Sequence, residues 1–180
     1  MLEIPQKISL EGVALLESVP ARGWFHRLRF LNFTAPPSSW GPNIEENFDR
    51  KRRLITPWLS VVEGQRVLDL FCANGGFSLL ALQHGAISVT GIEQDELRLQ
   101  AARATWTALG HSPDFIFGDV YDTPNKIDMR GDRNLRHWFY SIGAVERIIK
   151  DASFTIRESV VPAPEEQKRF PWYAALLQVK

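Results

Sequence analysis

Three acidic residues and a glycine turn in the middle of this sequence have the types and spacing to hold a nucleotide-like ligand. Asp69 lies in the apolar run 65–71, and the small-residue turn 72–76 follows it, ending on Gly75 and Gly76. Glycines let the backbone approach a ligand without Cβ interference, and a helix that starts beside them offers free amides. Glu93 closes a second apolar run, 88–93, where an acid can accept both hydroxyls of a ribose. Asp119 closes a third run, 115–119, where a carboxylate can accept from an adenine amino group.

The elements that must position these groups follow from the hydrophobic pattern. Residues 65–71 read as a buried strand, 77–84 as a helix stopped by Gly85, and 88–93 as a second strand. Residues 95–109 read as a helix ending at Gly110, and 115–119 as a third strand. This β-α-β-α-β alternation predicts a parallel sheet with crossover helices, an α/β fold. In such a sheet, polar residues at the carboxyl ends of consecutive strands converge on one crevice. The turn lacks the full G-x-G-x-x-G pattern of a dinucleotide site. An acid ahead of the turn suits a sulfonium and an amino group better than a pyrophosphate, which favours S-adenosylmethionine over NAD.

Val67-Leu68-Asp69-Leu70-Phe71-Cys72-Ala73-Asn74-Gly75-Gly76-Phe77-Ser78 resembles the first motif of class I S-adenosylmethionine-dependent methyltransferases. Val89-Thr90-Gly91-Ile92-Glu93 resembles their second motif, and Phe117-Gly118-Asp119-Val120 their third. Trp24-Phe25-His26, followed by Asn47-Phe48-Asp49-Arg50-Lys51-Arg52, is similar to the group related to tRNA wobble-uridine (mo5U34) methyltransferases. The resemblance implies S-adenosylmethionine as cofactor and a Rossmann-like fold. It implies that Asp69 sits near the methionine amino group, and that Phe71, Cys72, Ala73, Asn74, Gly75 and Gly76 wrap the methionine and ribose. Glu93 would hold the ribose hydroxyls with Gln94 beside the adenine, Asp119 would meet the adenine amino group, and Val120 would pack near the ring. Cys72 has no partner base evident in the sequence, so it reads as part of the binding turn rather than as a nucleophile.

The chain departs from that family after the third motif. Residues 121–140 are polar and turn-rich with no convincing strand. Beyond them lie a helix over 142–151 and two strands, 154–161 and 172–179, read as an antiparallel terminal hairpin. The family's fourth and fifth strands therefore look deleted, leaving a sheet of about five strands with the hairpin against the first. A second copy of the chain could cover the sheet region so exposed, as a homodimer. Arg130, Arg133, Arg136 and His137 lie beside Trp138, Phe139 and Tyr140. Such a set can stack on bases or can fill the space of missing strands.

Residues 1–60 read as a helical N-terminal extension or lid, and 61–180 as a shortened methyltransferase domain. Ser9 is a fitting N-cap for a short amphipathic helix, and 44–59 predicts a second helix weakened by Pro57. Trp24, His26 and Arg50, with Tyr140 from the later segment, are candidate substrate residues. Trp24 and Phe25 also suit a plain covering of the core. The cluster Arg50-Lys51-Arg52-Arg53 fits a phosphate backbone or a solvated helix face.

Composition sets the outer bounds. The 180 residues carry 44% hydrophobic and 23% charged side chains, an ordinary globular balance. Lys+Arg and Asp+Glu are 21 each, with an acidic centre between mildly basic flanks, so any nucleic-acid contact must be local. The single cysteine permits no internal disulfide, no grouping has metal-ligand spacing, and no apolar run reaches a membrane span. These features lead us to expect a cytoplasmic protein with a small-molecule or RNA substrate. A non-catalytic module that binds S-adenosylmethionine or S-adenosylhomocysteine is the alternative expectation.

Overall fold

A computed structural model describes residues 1–118 except Pro42, and Trp58 in its backbone alone. Beyond 118 it describes the backbone of 127–128, 138–139, 154–160 and 174–179. The chain forms two compact units, Met1–Val120 and Tyr121–Lys180.

In the first unit the N-terminal part carries β1 (Leu2–Glu3), α1 (Leu10–Glu17), β2 (Leu28–Arg29) and α2 (Asn43–Ile55). Ser9 caps α1 by accepting from the Gly12 amide at 3.0 Å, as its residue type predicts. β1 and β2 pair in parallel, Leu2 opposite Leu28, a pairing that two-residue strands leave invisible to periodicity. The helix expected over 44–59 is shorter. α2 ends at Ile55 and a 3-10 turn, Thr56–Val61, continues it, because Pro57 has no N–H for the α ladder.

The central part carries β3 (Arg66–Leu70), α3 (Gly76–Gln83), β4 (Ser88–Glu93), α4 (Glu96–Ala108) and β5 (Phe115–Phe117). The three strands form one parallel sheet in the order β3-β4-β5, with Asp69 opposite Gly91 and Glu93 opposite Phe117. Asp95 caps α4, its Oδ1 accepting from Leu97 and Arg98 amides at 3.0 and 3.2 Å. One hydrophobic core joins both parts: Leu2, Leu16, Trp24, Leu28 and Phe48 cluster with Leu79, Leu99, Ala102, Trp106 and Phe115. Leu68 and Ile116, which side-chain alternation puts on one face of the sheet, each stay 49% exposed.

In the second unit, β6 (Ile127–Asp128) and β7 (Trp138–Phe139) pair antiparallel. These two strands fall within 121–140, where the sequence reading finds none, because two-residue strands carry no measurable alternation. β8 (Phe154–Val160) and β9 (Ala174–Val179) also pair antiparallel, with an irregularity between Ile156 and Glu158. The helix expected over 142–151 lies outside the described residues.

Candidate functional site

β3 ends at Leu70 and the chain turns sharply. Phe71 and Ala73 take left-handed φ of 61° and 51°, and Gly75 follows at 78°. A side-chain-bearing residue in that region costs about 1–2 kcal/mol, so two in one turn must be held by their surroundings. The Cys72 amide donates to the Ile92 carbonyl at 3.1 Å, and the Gly75 amide to the Cys72 carbonyl at 2.8 Å.

The strongest hold comes from Glu93, which is only 3% exposed. Its Oε2 accepts from the Ala73 amide at 2.8 Å; its Oε1 accepts from the Gln94 and Asp95 amides at 3.0 and 2.9 Å. A buried carboxylate is tolerated when several N–H donors face it. Glu93 thus ties the turn after β3 to the entry of α4. A carboxylate offers about four lone-pair sites, so acceptor capacity remains for a ligand hydroxyl.

Asp69 lies one strand over. Its Oδ2 accepts from the Ser78 hydroxyl at 2.5 Å. Burial raises the Asp69 carboxyl from its ordinary value to about 6; hydrogen bonds from Ser78 pull it down and the Glu93 charge pushes it up. Ser78, which ends the motif 67–78, is thus the partner that fixes the Asp69 carboxylate, a pairing nine residues apart that sequence alone does not reveal. Cys72 is buried, and burial first, then the Asp69 and Glu93 charges, push its thiol up. A thiol so placed is not a nucleophile.

The N-terminal part reaches the same turn. Asn74 is fully buried; its Oδ1 accepts from the His26 amide at 2.7 Å and its Nδ2 donates to the His26 carbonyl at 2.8 Å. The Asn74 side chain thus serves the His26 backbone with both of its amide atoms. The His26 ring lies over Phe48, centroids 4.4 Å apart, and meets Phe77 and Phe25 edge-on at 5.7 and 4.9 Å. A Cβ at Gly76 would stand 2.6 Å from His26 Nδ1 and 3.0 Å from Phe48 Cε2, so only glycine lets the ring settle on the head of α3. Burial lowers the His26 pKa to about 3, with Lys51, Arg98 and the amino terminus adding to the shift.

Arg98 on α4 is a residue the sequence reading missed. Its guanidinium carbon lies 4.6 Å from the Phe25 ring centroid and 4.4 Å from that of Trp40. Its Nε is 3.6 Å from Asp95 Oδ2, the capping carboxylate three residues earlier. That spacing is the one signal the sequence held for it.

The other expected site residues are distributed unevenly. Trp24 is 1% exposed and packs on Phe33, so it is core and offers no face to a substrate. Arg50 sits on α2, where its Nη2 lies 3.4 Å from Asn47 Oδ1. Gln94 follows Glu93 and is exposed. Asp119, Val120 and Tyr140 lie outside the described residues, as do Arg130, Arg133, Arg136 and His137. Among the described residues no group of three or more His, Cys, Asp or Glu could hold a metal ion. Among them, too, no helix is long and apolar enough to cross a membrane.

No protein-family model matches the chain. It is 35% identical over 74 residues to the ribosomal RNA large subunit methyltransferase I of Photobacterium profundum, covering 39% of this chain and 19% of the relative. It is 32% identical over 107 residues to the 23S rRNA (uracil(1939)-C(5))-methyltransferase RlmD of Neisseria lactamica, covering 53% of this chain and 24% of that protein. The chain thus spans about a fifth to a quarter of the length of these curated relatives. Among solved structures, the magnesium protoporphyrin IX methyltransferase of Synechocystis aligns with a TM-score of 0.47 at 18% identity, over 75% of this chain and 80% of that one.

Proposed function

We propose that this chain binds S-adenosylmethionine at the turn after β3 and acts as a methyltransferase on RNA. The observation that carries the reading is the double grip on residues 71–76. Glu93 holds Ala73 from the β4 side, and the strained turn is kept open-handed, with left-handed backbone at Phe71 and Ala73.

The donor set fits the cofactor. Glu93 ends β4 with acceptor capacity left for ribose hydroxyls, and Asp69, largely ionised at neutral pH with its carboxyl at about 6, suits an ammonium group. When bound, S-adenosylmethionine supplies an electrophilic methyl group on its sulfonium. The chain's own residues bind, orient and exclude water. The aromatic wall of Phe25, His26, Phe48 and Phe77 keeps this side of the turn apolar, which favours desolvation of a reacting pair. Asp119 and Val120 belong to the same reading as the adenine contacts. Residues 1–60 serve as the covering of the site and 61–180 as a shortened methyltransferase domain.

RNA as the acceptor rests on the names of the two curated relatives. The run Arg50-Lys51-Arg52-Arg53 on α2 agrees with it, Arg53 being exposed. Calorimetric titration with S-adenosylhomocysteine, alongside NAD and ATP, tests the cofactor. Binding of S-adenosylhomocysteine alone is expected, and its failure to bind overturns the reading. Replacing Glu93 with Ala is expected to weaken that binding by about 1–3 kcal/mol. Transfer of a labelled methyl group to ribosomal RNA fragments tests the reaction; binding without transfer to any RNA would mark a module that no longer catalyses.

A further inference from the structure

We propose that Arg98 and Lys51 hold phosphates of a single-stranded RNA segment laid beside the aromatic cluster of Phe25, His26 and Phe48. The inference rests on the RNA reading above and names the residues that receive the strand.

Three observations lead to it. The first is the state of Arg98. Its guanidinium lies in the corner of two rings, 4.6 Å from the Phe25 centroid and 4.4 Å from that of Trp40, whose planes meet at 64°. A planar cation framed in this way is already ordered and keeps the donors at its rim. Asp95 approaches Nε alone, at 3.6 Å, and its other oxygen is spent on the Leu97 and Arg98 amides. Nε is the buried nitrogen; the two terminal nitrogens reach the surface and make no hydrogen bond among the described residues. Such a rim matches the oxygens of a phosphate.

The second observation is Lys51. It lies one turn after Phe48 on α2, so it shares the side of the helix that packs on His26. It is half-buried, and among the described residues no acid pairs with it: Glu45 and Asp49 are taken by the amino terminus and Arg52. Burial, with Arg50 adding to it, lowers the Lys51 pKa. An ammonium group drawn into a positive neighbourhood without a counter-charge gains from an arriving anion.

The third joins the two. Lys51 and Arg98 both act on the buried His26 ring as positive charges. That ring meets Phe25, which frames Arg98, at 4.9 Å, and Phe48, one turn before Lys51, at 4.4 Å. Two cations with donors to spare thus flank one aromatic cluster, and Asn74 and Phe77 fasten that cluster to the candidate cofactor turn. Cations interleaved with aromatic rings are the pattern that tracks a single strand. A solvated helix face holds its cations in water, whereas Arg98 is 13% exposed and Lys51 half-buried.

A labelled uridine oligomer of about 12 nucleotides reads the phosphate contacts free of base sequence. Fluorescence anisotropy from about 50 to 200 mM salt gives the slope of log affinity against log salt. Arg98→Gln and Lys51→Gln are each expected to lower that slope by about 0.7 and to weaken binding about fivefold at the low-salt end. Arg98→Lys keeps the charge without the framed rim, so it should keep the slope and lose about threefold in affinity. Arg66→Gln, exposed at the amino end of β3 and away from the crevice, should change neither. Circular dichroism and calorimetry with S-adenosylhomocysteine accompany each variant, and both should match the wild type. Should one Gln variant fail to fold, the other carries the comparison. Unchanged slopes in the Gln variants, an equal fall in Arg66→Gln, or a matching loss of S-adenosylhomocysteine affinity overturns the role of this pair alone. Folded wild-type protein that binds no oligomer overturns the RNA reading itself.

Discussion

The turn at 71–76 is gripped from two sides by different physics. On the β4 side a single carboxylate, Glu93, collects three backbone amides. On the N-terminal side Asn74 meets the His26 backbone through both its amide atoms, and a stack of rings presses on the head of α3. The first grip is charged and spans residues joined by one helix. The second is neutral and aromatic and spans 48 residues of chain. A turn held only by the first would keep its tie to β4 but lose its cover; one held only by the second would lose that tie.

The two grips can be broken separately. Asn74→Ala should have the largest effect. It strands the buried His26 N–H and C=O together, and the expected loss is about 3 kcal/mol. Denaturant unfolding measures it. Hydrogen exchange should report loosening at residues 24–26 while β3 and β4 stay protected. Loss of protection across the whole sheet would mean that the two sides are one unit.

Gly76→Ala comes next. Its Cβ would crowd His26 Nδ1 and Phe48 Cε2 at 2.6 and 3.0 Å, so the aromatic side must shift. The expected cost is about 2 kcal/mol, read as a lower unfolding midpoint. An unchanged midpoint would show that the N-terminal cover moves freely off α3.

The pH dependence separates the two sides by sign. His26 titrates near 3 in the fold against 6.5 in the open chain. Its contribution to stability is full above 6.5 and is lost as pH falls toward 3. Asp69 is raised from 3.8 to about 6, so its contribution is full below 3.8 and is lost as pH rises through about 6. In the shared window the slopes oppose. Asp69→Asn should therefore make stability rise more steeply with pH than in the wild type, and His26→Phe should make it rise less or fall. Asp69 is partly exposed, so solvent screening trims its share, and the two variants' stabilities should diverge in opposite senses from the wild type between about pH 4 and about pH 6. Urea midpoints at the two pH values check it, and parallel curves would mean that neither group is perturbed.

Much of the central part was legible because its signals are local. Runs of Val, Leu and Ile bounded by Gly mark β3 and β4. Ser9 and Asp95 cap helices where their types suggest. The acids at the strand ends follow from the alternation itself. Trp24 and His26 illustrate the limit. They stand two positions apart in one short motif, and the sequence offers both to a substrate. The structure puts Trp24 into the core against Phe33 and His26 onto the helix head. Nothing in the local pattern separates them, because the choice depends on what Asn74 and Phe48 do elsewhere. Asn74 shows the same dependence, since its side-chain partner, the His26 backbone, lies 48 residues away in the chain. Arg98 is hidden for the converse reason, since its aromatic partners, Phe25 and Trp40, come from another part of the chain.

The sequence by itself determined the strand, the glycine turn, the helix and the position of Glu93, because hydrophobic period, backbone freedom and capping act over a few residues. Only the tertiary structure decided what covers the turn, which polar atoms are consumed by the fold, and which one, His26 Nδ1, is left over. Those outcomes are set by pairings between distant segments in a close-packed core, where a single Cβ at Gly76 would change the answer.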